Sequence, residues 1–296
     1  MSQLKVAILG AGGQLGQEFQ YLSQEIPEWR FSFFSSRVLN ITNIDALKSK
    51  LGNGIFDYII NCAAYTAVDK AESEVEKCWL INAHACQYIT DVLKDQKSKV
   101  IHFSSDYVYH NGETTPLTET SETRPQSVYA QSKLRGEEIL RSSEVETLII
   151  RTSWVISSYG HNFVKTMLRL GKERTEINVV NDQKGAPTYA RDLAYTVLEI
   201  IKKTEKGTVE AGYFNQTYNY ANLGETTWYE MAQYIMKYAQ LDCNVHPIPT
   251  AQYPTPARRP LNSVMSLKKI QETYQIDIPT WNKALENCLK EIVQKI

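Results

Sequence analysis

What this 296-residue chain has little of narrows its chemistry first. Cysteine is limited to five residues, Cys62, Cys78, Cys86, Cys243 and Cys288, odd in number, widely spaced and without a CxxC pair. Neither a disulfide framework nor a cysteine-bound zinc is expected, and the thiols read as reduced and mostly packed. Apolar runs stop well short of membrane-spanning length, and the first residues lead directly into an apolar segment with no basic stretch and cleavage site. A cytoplasmic protein without a membrane segment is expected. One-sided charge is missing too: 32 Lys and Arg against 33 Asp and Glu give a formal net charge of -1. That balance offers no general attraction to nucleic acid, so partners must be read from local sites. Internal repeats and low-complexity tracts are absent as well.

What the chain does have is alternation. Its first half switches between short β-rich runs and amphipathic segments, the order that builds a parallel sheet covered by helices. Strands are expected at 5–9, 31–34, 57–61, 99–103 and 147–151, with a helix at 14–23. The fold class is α/β, a Rossmann-type doubly wound parallel sheet with a smaller C-terminal lobe. Ligands of such sheets lie beyond the carboxyl ends of the strands, so residues 10–16, 61–65 and 104–106 should meet at one crevice. After about Trp154 the alternation weakens, with loops at 181–188 and 247–260 and an amphipathic packing helix at 228–239. This organisation implies a dinucleotide-binding domain over 1–155 and a mainly substrate-binding lobe over 156–296, of which about 188–215 packs back on the first domain.

Three motifs carry chemistry. Gly10, Gly13 and Gly16 stand in GAGGQLG between an expected strand and an expected helix, and Gly12 fits an overlapping spacing. Glycines there let the backbone approach a pyrophosphate, which the free N–H groups of the helix N-terminus receive, so the expected ligand is a dinucleotide. NAD-preferring sites usually place a carboxylate at the end of the second strand. This chain has Ser36 and Arg37 instead, groups able to hold a 2′-phosphate, which leans the reading towards NADPH with NADH as the alternative. Ala63 and Ala64 follow the third strand and are small where a cofactor would pass closely. Tyr129 and Lys133 are four residues apart, on one face of a helix, so the ammonium is expected to stabilise a phenolate and lower the Tyr129 pKa. Ser105, at a strand end, can hydrogen-bond the same substrate oxygen, giving a proton-transfer set for a carbonyl or an alcohol. His102 and His161 lie near these motifs without metal-ligand spacing and read as structural; no metal ligands are assigned.

Together these stretches resemble the dTDP-4-dehydrorhamnose reductases of the extended short-chain dehydrogenase/reductase superfamily. Beyond the glycine turn and YAQSK at 129–133, the resemblance rests on NCAAYTAVDKAE at 61–72, SSDYVY at 104–109, RTSWV at 151–155, NDQKGAPT at 181–188 and ARRPLNS at 257–263. It implies reduction of the 4-keto group of a dTDP-6-deoxy sugar, with hydride from NADPH or NADH and a proton from Tyr129. Gln14 and Leu15 match the family's pyrophosphate loop, Tyr65 its second cofactor contact beside Ala63 and Ala64, Asn40 and Ile41 an adenine-side contact, and Phe103 a position beside the nicotinamide. Tyr129 and Lys133 count among the cofactor contacts as well. Ser105, Asp106 and Trp154 match substrate contacts, and Arg258 and Arg259 fall in a loop near the substrate, where arginine can grip a diphosphate. Tyr65 replaces a common histidine, Asn40 a common aspartate and Ser105 a common threonine. Some members hold magnesium at a dimer interface through glutamates not matched here, which leaves magnesium open and the assembly a monomer or a homodimer. Alternative readings are another nucleotide-sugar 4-ketoreductase or epimerase and, from another class, a non-catalytic binding subunit related to the regulatory subunit of methionine adenosyltransferase.

Overall fold

Every strand expected in the first half is present, and the sheet they form has one strand more. The computed structural model describes residues 3–110, 112–210 and 212–294. The first half runs β1 (Lys5–Leu9), α1 (Gln14–Leu22), β2 (Arg30–Phe34), α2 (Ile44–Leu51), β3 (Tyr58–Asn61), α3 (Val68–Ala71), α4 (Val75–Trp79), α5 (Ala85–Leu93), β4 (Lys99–Ser105), α6 (Val128–Arg141) and β5 (Thr147–Thr152). The second half continues with β6 (Val155–Ile156), α7 (Phe163–Glu173), β7 (Glu176–Val180), β8 (Lys184–Gly185), β9 (Thr188–Tyr189), α8 (Ala190–Glu205), β10 (Thr217–Tyr220), β11 (Thr226–Thr227), α9 (Trp228–Tyr238), β12 (Asn244–Ile248), α10 (Lys268–Tyr274) and α11 (Trp281–Gln294).

The main sheet has the order β10-β5-β4-β3-β1-β2 and is parallel throughout. Strands such as Tyr-Ile-Ile-Asn in β3 are buried at every position, as both faces carry helices. One face packs Val6, Ile8, Ile60 and Ile150 against Phe19 of α1 and Leu193 and Val197 of α8. The other packs Ala7, Leu9 and Ile59 against Leu47 of α2 and Ile89 of α5. The order reverses between β1 and β3, the switch point where a doubly wound sheet opens a crevice.

The sixth strand is the departure from the sequence expectation. Thr217–Tyr220 returns from the second half and pairs in parallel with β5, so the segment packing back on the sheet extends past residue 215. Two expected loops also hold short strands. Residues 184–185 and 188–189 form β8 and β9, and Pro247 sits inside β12 opposite Val179 of β7. Proline is tolerated there because β12 has a single neighbour, leaving one side without ladder bonds to make.

A separate core organises the second lobe: Val164 and Met167 of α7, Met231 and Ile235 of α9, and Leu285 and Cys288 of α11. Local signals fix these helices. Asn162 caps α7 through Lys165 N–H, and Thr227 and Glu230 form a reciprocal capping box on α9. The lobes are pinned by Glu18 of α1, whose buried carboxylate accepts from Ser157 at 2.6 Å and Arg191 at 2.8 Å. All five cysteines are free and four are buried. Among the described residues, no helix is long and apolar enough to cross a membrane.

Candidate active site

The crevice begins at the turn after β1. Gly10 has a φ of 72°, and a Cβ on it would stand 2.5 Å from the Ala63 backbone nitrogen. The turn is therefore pressed against the residues following β3 and admits no side chain there. Gly16 is small for a related reason: a Cβ would stand 2.5 Å from the Gly10 carbonyl, so α1 could not close on the turn. Gly13 is the N-cap of α1 and contributes no side-chain oxygen to the first-turn N–H groups, which keeps them available to an anion.

A cavity of about 610 Å³ opens over this turn, walled by Gly12, Gly13, Ala63, Asn40 and Ile41, with Ser36 and Arg37 at its rim. Ser36 and Arg37 are both exposed. Asn40 is partly committed, since its side-chain oxygen accepts from the Thr42 N–H at 3.1 Å and hydroxyl at 2.9 Å. Tyr65 differs from its neighbours Ala63 and Ala64. Its side chain turns into a small core with Ala71 and Cys78, its hydroxyl donates to Glu74 at 3.2 Å, and it lines neither cavity described here.

A second cavity, about 440 Å³, shares the walls at Gly13, Cys62 and Ala64 and continues past Gln14, Leu15 and Phe103. Ser105, Asp106, Tyr129 and Lys133 stand in it, so the three strand-end motifs meet at one place. Tyr129 and Lys133 lie on α6, which starts at the Ser127 cap on Ala130 N–H. The Ser105 hydroxyl donates to Asp106 at 3.0 Å and accepts from Tyr107 N–H at 3.3 Å, so it also caps the turn after β4. Burial pushes the Asp106 carboxyl up to about 6.

The electrostatics of Tyr129 differ from the sequence expectation. Burial raises its phenol above the ordinary tyrosine value, with the Asp106 charge adding to the rise and the Ser105 hydroxyl opposing it. Lys133 does not bring it down, because its Nζ donates to the Phe103 carbonyl at 2.6 Å and lies 3.3 Å from His102 Nε2. Burial lowers the Lys133 amine in turn, partly countered by Cys86 and Glu137.

The far wall belongs to the second lobe. Trp154 has a φ of 46°, in the left-handed region that bulky residues avoid, and its indole packs where a Cβ on Gly185 would be 2.8 Å away. It stacks on Trp228 with ring centroids 3.7 Å apart and planes 17° apart, and Trp228 Nε1 donates to Gln183 at 3.2 Å. Neither arginine of the Ala-Arg-Arg-Pro loop lines the cavity. Arg258 is exposed, while Arg259 forms a two-pronged ion pair with Asp69 of α3 at 2.6 and 3.0 Å. That pairing commits Arg259 to joining the two lobes. Among the described residues, no cluster of three or more His, Cys, Asp or Glu is placed to hold a metal ion.

Residues 4–294 match the family model described as the RmlD substrate binding domain. The chain belongs to this family. It is 37% identical to a dTDP-4-dehydrorhamnose reductase of Aggregatibacter actinomycetemcomitans, covering 96% of this chain and 97% of the relative. It is also 37% identical to the enzyme of that name from Escherichia coli K12, covering 98% of each. A crystal structure of dTDP-4-dehydrorhamnose reductase from Bacillus anthracis in complex with NADP superposes with a TM-score of 0.91 at 34% identity, over 98% of this chain and 99% of that one.

Within this RmlD-family chain the structure adds wall residues that sequence reasoning did not single out. Trp228 belongs to the expected packing helix, yet it lines the second cavity from the first turn of α9. Its position directly after the Thr227 cap was the available signal, since first-turn residues project from a helix end. Tyr107 stands edge-on to Tyr129, centroids 5.7 Å apart at 84°, and the Ser-Ser-Asp-Tyr run already contained it. His161, read as structural, is also at this wall.

Proposed function

We propose that the chain is a cytoplasmic, NADPH-dependent reductase that converts dTDP-4-dehydrorhamnose to dTDP-L-rhamnose. The observation carrying this reading is the placement of Ser105, Tyr129 and Lys133 where the cavity over the Gly10 turn runs into a second cavity walled by the C-terminal lobe. The names of the relatives and the NADP in the Bacillus structure support it. The residues fit such a cofactor: the Gly10 turn accepts no Cβ, and the uncapped start of α1 suits a pyrophosphate.

Bound NADPH would supply the hydride to C4 of the sugar. The protein supplies the rest. Ser105 orients the C4 carbonyl oxygen by hydrogen bonding, and Tyr129 gives its phenolic proton to that oxygen as the C4–H bond forms and the carbonyl π pair becomes the O–H bond. Lys133 lines the same cavity as Tyr129, its Nζ held on the Phe103 carbonyl. Trp154 and Trp228 present a flat apolar wall to the sugar nucleotide. In this division of labour residues 1–155, joined by α8 and β10, hold the cofactor, and the remainder of 156–296 holds the substrate.

The test is NADPH oxidation by purified protein with dTDP-4-dehydrorhamnose, with the product assigned by NMR. Turnover to dTDP-L-rhamnose is expected. A measurable dissociation constant without turnover would make the chain a binder, and turnover confined to another sugar nucleotide would redirect the substrate. NADPH should be used at least as well as NADH. Arg37→Ala should remove a charge-assisted contact of about 1.5–3 kcal/mol, raising the NADPH KM by about ten- to a hundredfold while leaving NADH alone. An unchanged NADPH KM would place the 2′-phosphate elsewhere. Trp228→Leu, by unstacking Trp154, is expected to raise the sugar-nucleotide KM up to about tenfold, in line with the worth of one aromatic pair, without moving NADPH affinity. A folded variant with unchanged KM would remove the stacked pair from substrate binding.

A further inference from the structure

His102 has no part in the steps above, yet it occupies the middle of β4 with its ring buried between two functional groups. Its Nδ1 lies 3.2 Å from Asn61 Nδ2, and its Nε2 lies 3.3 Å from Lys133 Nζ. Where the protons sit follows from the far end of this chain. The Ala63 N–H donates to Asn61 Oδ1 at 3.2 Å, which fixes the amide with its oxygen towards Ala63 and its NH2 towards His102. An NH2 group only donates, so His102 Nδ1 accepts. A neutral imidazole that accepts at Nδ1 carries its hydrogen on Nε2, and that hydrogen points at Lys133.

Lys133 Nζ must then receive a hydrogen bond while giving one to the Phe103 carbonyl at 2.6 Å. A neutral amine does both. An ammonium has no lone pair, and would meet the Nε2 hydrogen head-on unless the imidazole moved its proton to Nδ1, where it would face the Asn61 NH2 instead. Either way, one buried hydrogen bond is lost on protonation. We propose that His102 is a positioning residue for Lys133: held in its Nε2–H tautomer by Asn61, it keeps the Lys133 nitrogen against the Phe103 carbonyl and lowers the affinity of that nitrogen for a proton.

The surroundings are mixed, which makes this direction testable. Burial opposes the ammonium, whereas Glu137 on the same helix, Cys86 on α5 and Cys78 on α4 favour it. Tyr129 shares the cavity wall. His102 itself is kept neutral by burial.

The proposal stands apart from the reductase reading, because the protonation state of Lys133 can be followed without a substrate. The experiment is an NMR titration of 13Cε-labelled lysines in the full-length protein, with Lys133→Met identifying the Lys133 signal. His102→Gln offers an amide that can turn its oxygen to an ammonium. Asn61→Asp accepts from an Nδ1–H and so frees Nε2 to accept from Lys133. Both variants should raise the Lys133 midpoint by about one pH unit or more, a tenfold change in proton affinity. A rise in Asn61→Asp alone would reflect only the added charge and would overturn the proposal, as would no shift in either. Should Asn61→Asp fail to fold, His102→Gln decides on the direction of its shift; should His102→Gln fail, His102→Asn takes its place. A raised midpoint in a protein that turns over no sugar nucleotide would uphold the role of His102 and reject the reductase reading.

Discussion

Tyr129→Phe should leave cofactor affinity intact and lower turnover at least about a hundredfold, the scale on which a positioned acid contributes. The ring would stay in place, since its packing includes the edge-on contact with Tyr107 and survives loss of the hydroxyl. What disappears is the proton for the oxygen that becomes the product hydroxyl. Stopped-flow turnover and NADPH fluorescence titration separate the two effects, and near-normal kcat would remove Tyr129 from the reaction. The wild-type pH profile carries a linked expectation. Burial holds the phenol above its ordinary value, so the proton-bearing form persists through the neutral range. The rate should therefore fall only on the alkaline side, where the acid is lost.

Glu137→Ala should produce the largest loss of stability. The Glu137 carboxylate on α6 accepts from Arg151 of β5 at 2.7, 3.0 and 3.2 Å and also pairs with Arg141 one helical turn on. Glu137 and Arg151 are both buried. Truncating the carboxylate leaves a guanidinium in the interior without its counter-charge, a change that typically costs about 3–5 kcal/mol. Replacing both partners together, with Glu137→Leu and Arg151→Met, should cost less, because no uncompensated charge remains. Denaturant midpoints for the two variants provide the comparison, and equal losses would mean that packing rather than charge dominates. Burial alone would raise the Glu137 carboxyl, but Arg151 and Arg141 hold it below the ordinary glutamate value. The sign is that of a depressed carboxylate. The contribution is complete above the unfolded-state value near about 4.3 and is lost as pH falls through the folded-state value.

Much of this was legible in the sequence because it is local. Strands β1 and β3 to β5 announce themselves as apolar runs with β-branched residues and β2 as an aromatic one, the glycine turn and Ser105 sit at strand ends, and the Tyr129–Lys133 spacing fits one face of α6. What escaped depends on residues far apart in the chain. β10 reads Thr-Tyr-Asn-Tyr, and its polar Asn219 looks like a loop residue until Tyr109 donates to it at 2.8 Å and Leu117 accepts from it at 3.0 Å. Arg259 resembles a free phosphate ligand until Asp69, 190 positions away, is found against it. The turning of Tyr65 towards Glu74 and of Lys133 towards Phe103 likewise depends on side-chain packing that periodicity does not encode.

The late return of β10 bears on how the protein is made. Until Thr217–Tyr220 has left the ribosome, β5 is the outer strand of the nascent sheet, with backbone groups from Ile149 to Thr152 lacking the partner they have in the finished fold. An apolar open edge of that kind can pair with another chain. Synthesis of roughly the last 70 residues before β10 is thus the interval of greatest aggregation risk, assuming an emergence rate of about 5–20 residues per second and hence several seconds of exposure. A fragment ending at residue 155 would carry that open edge permanently, so its insolubility would say nothing against the reach of the cofactor-binding half.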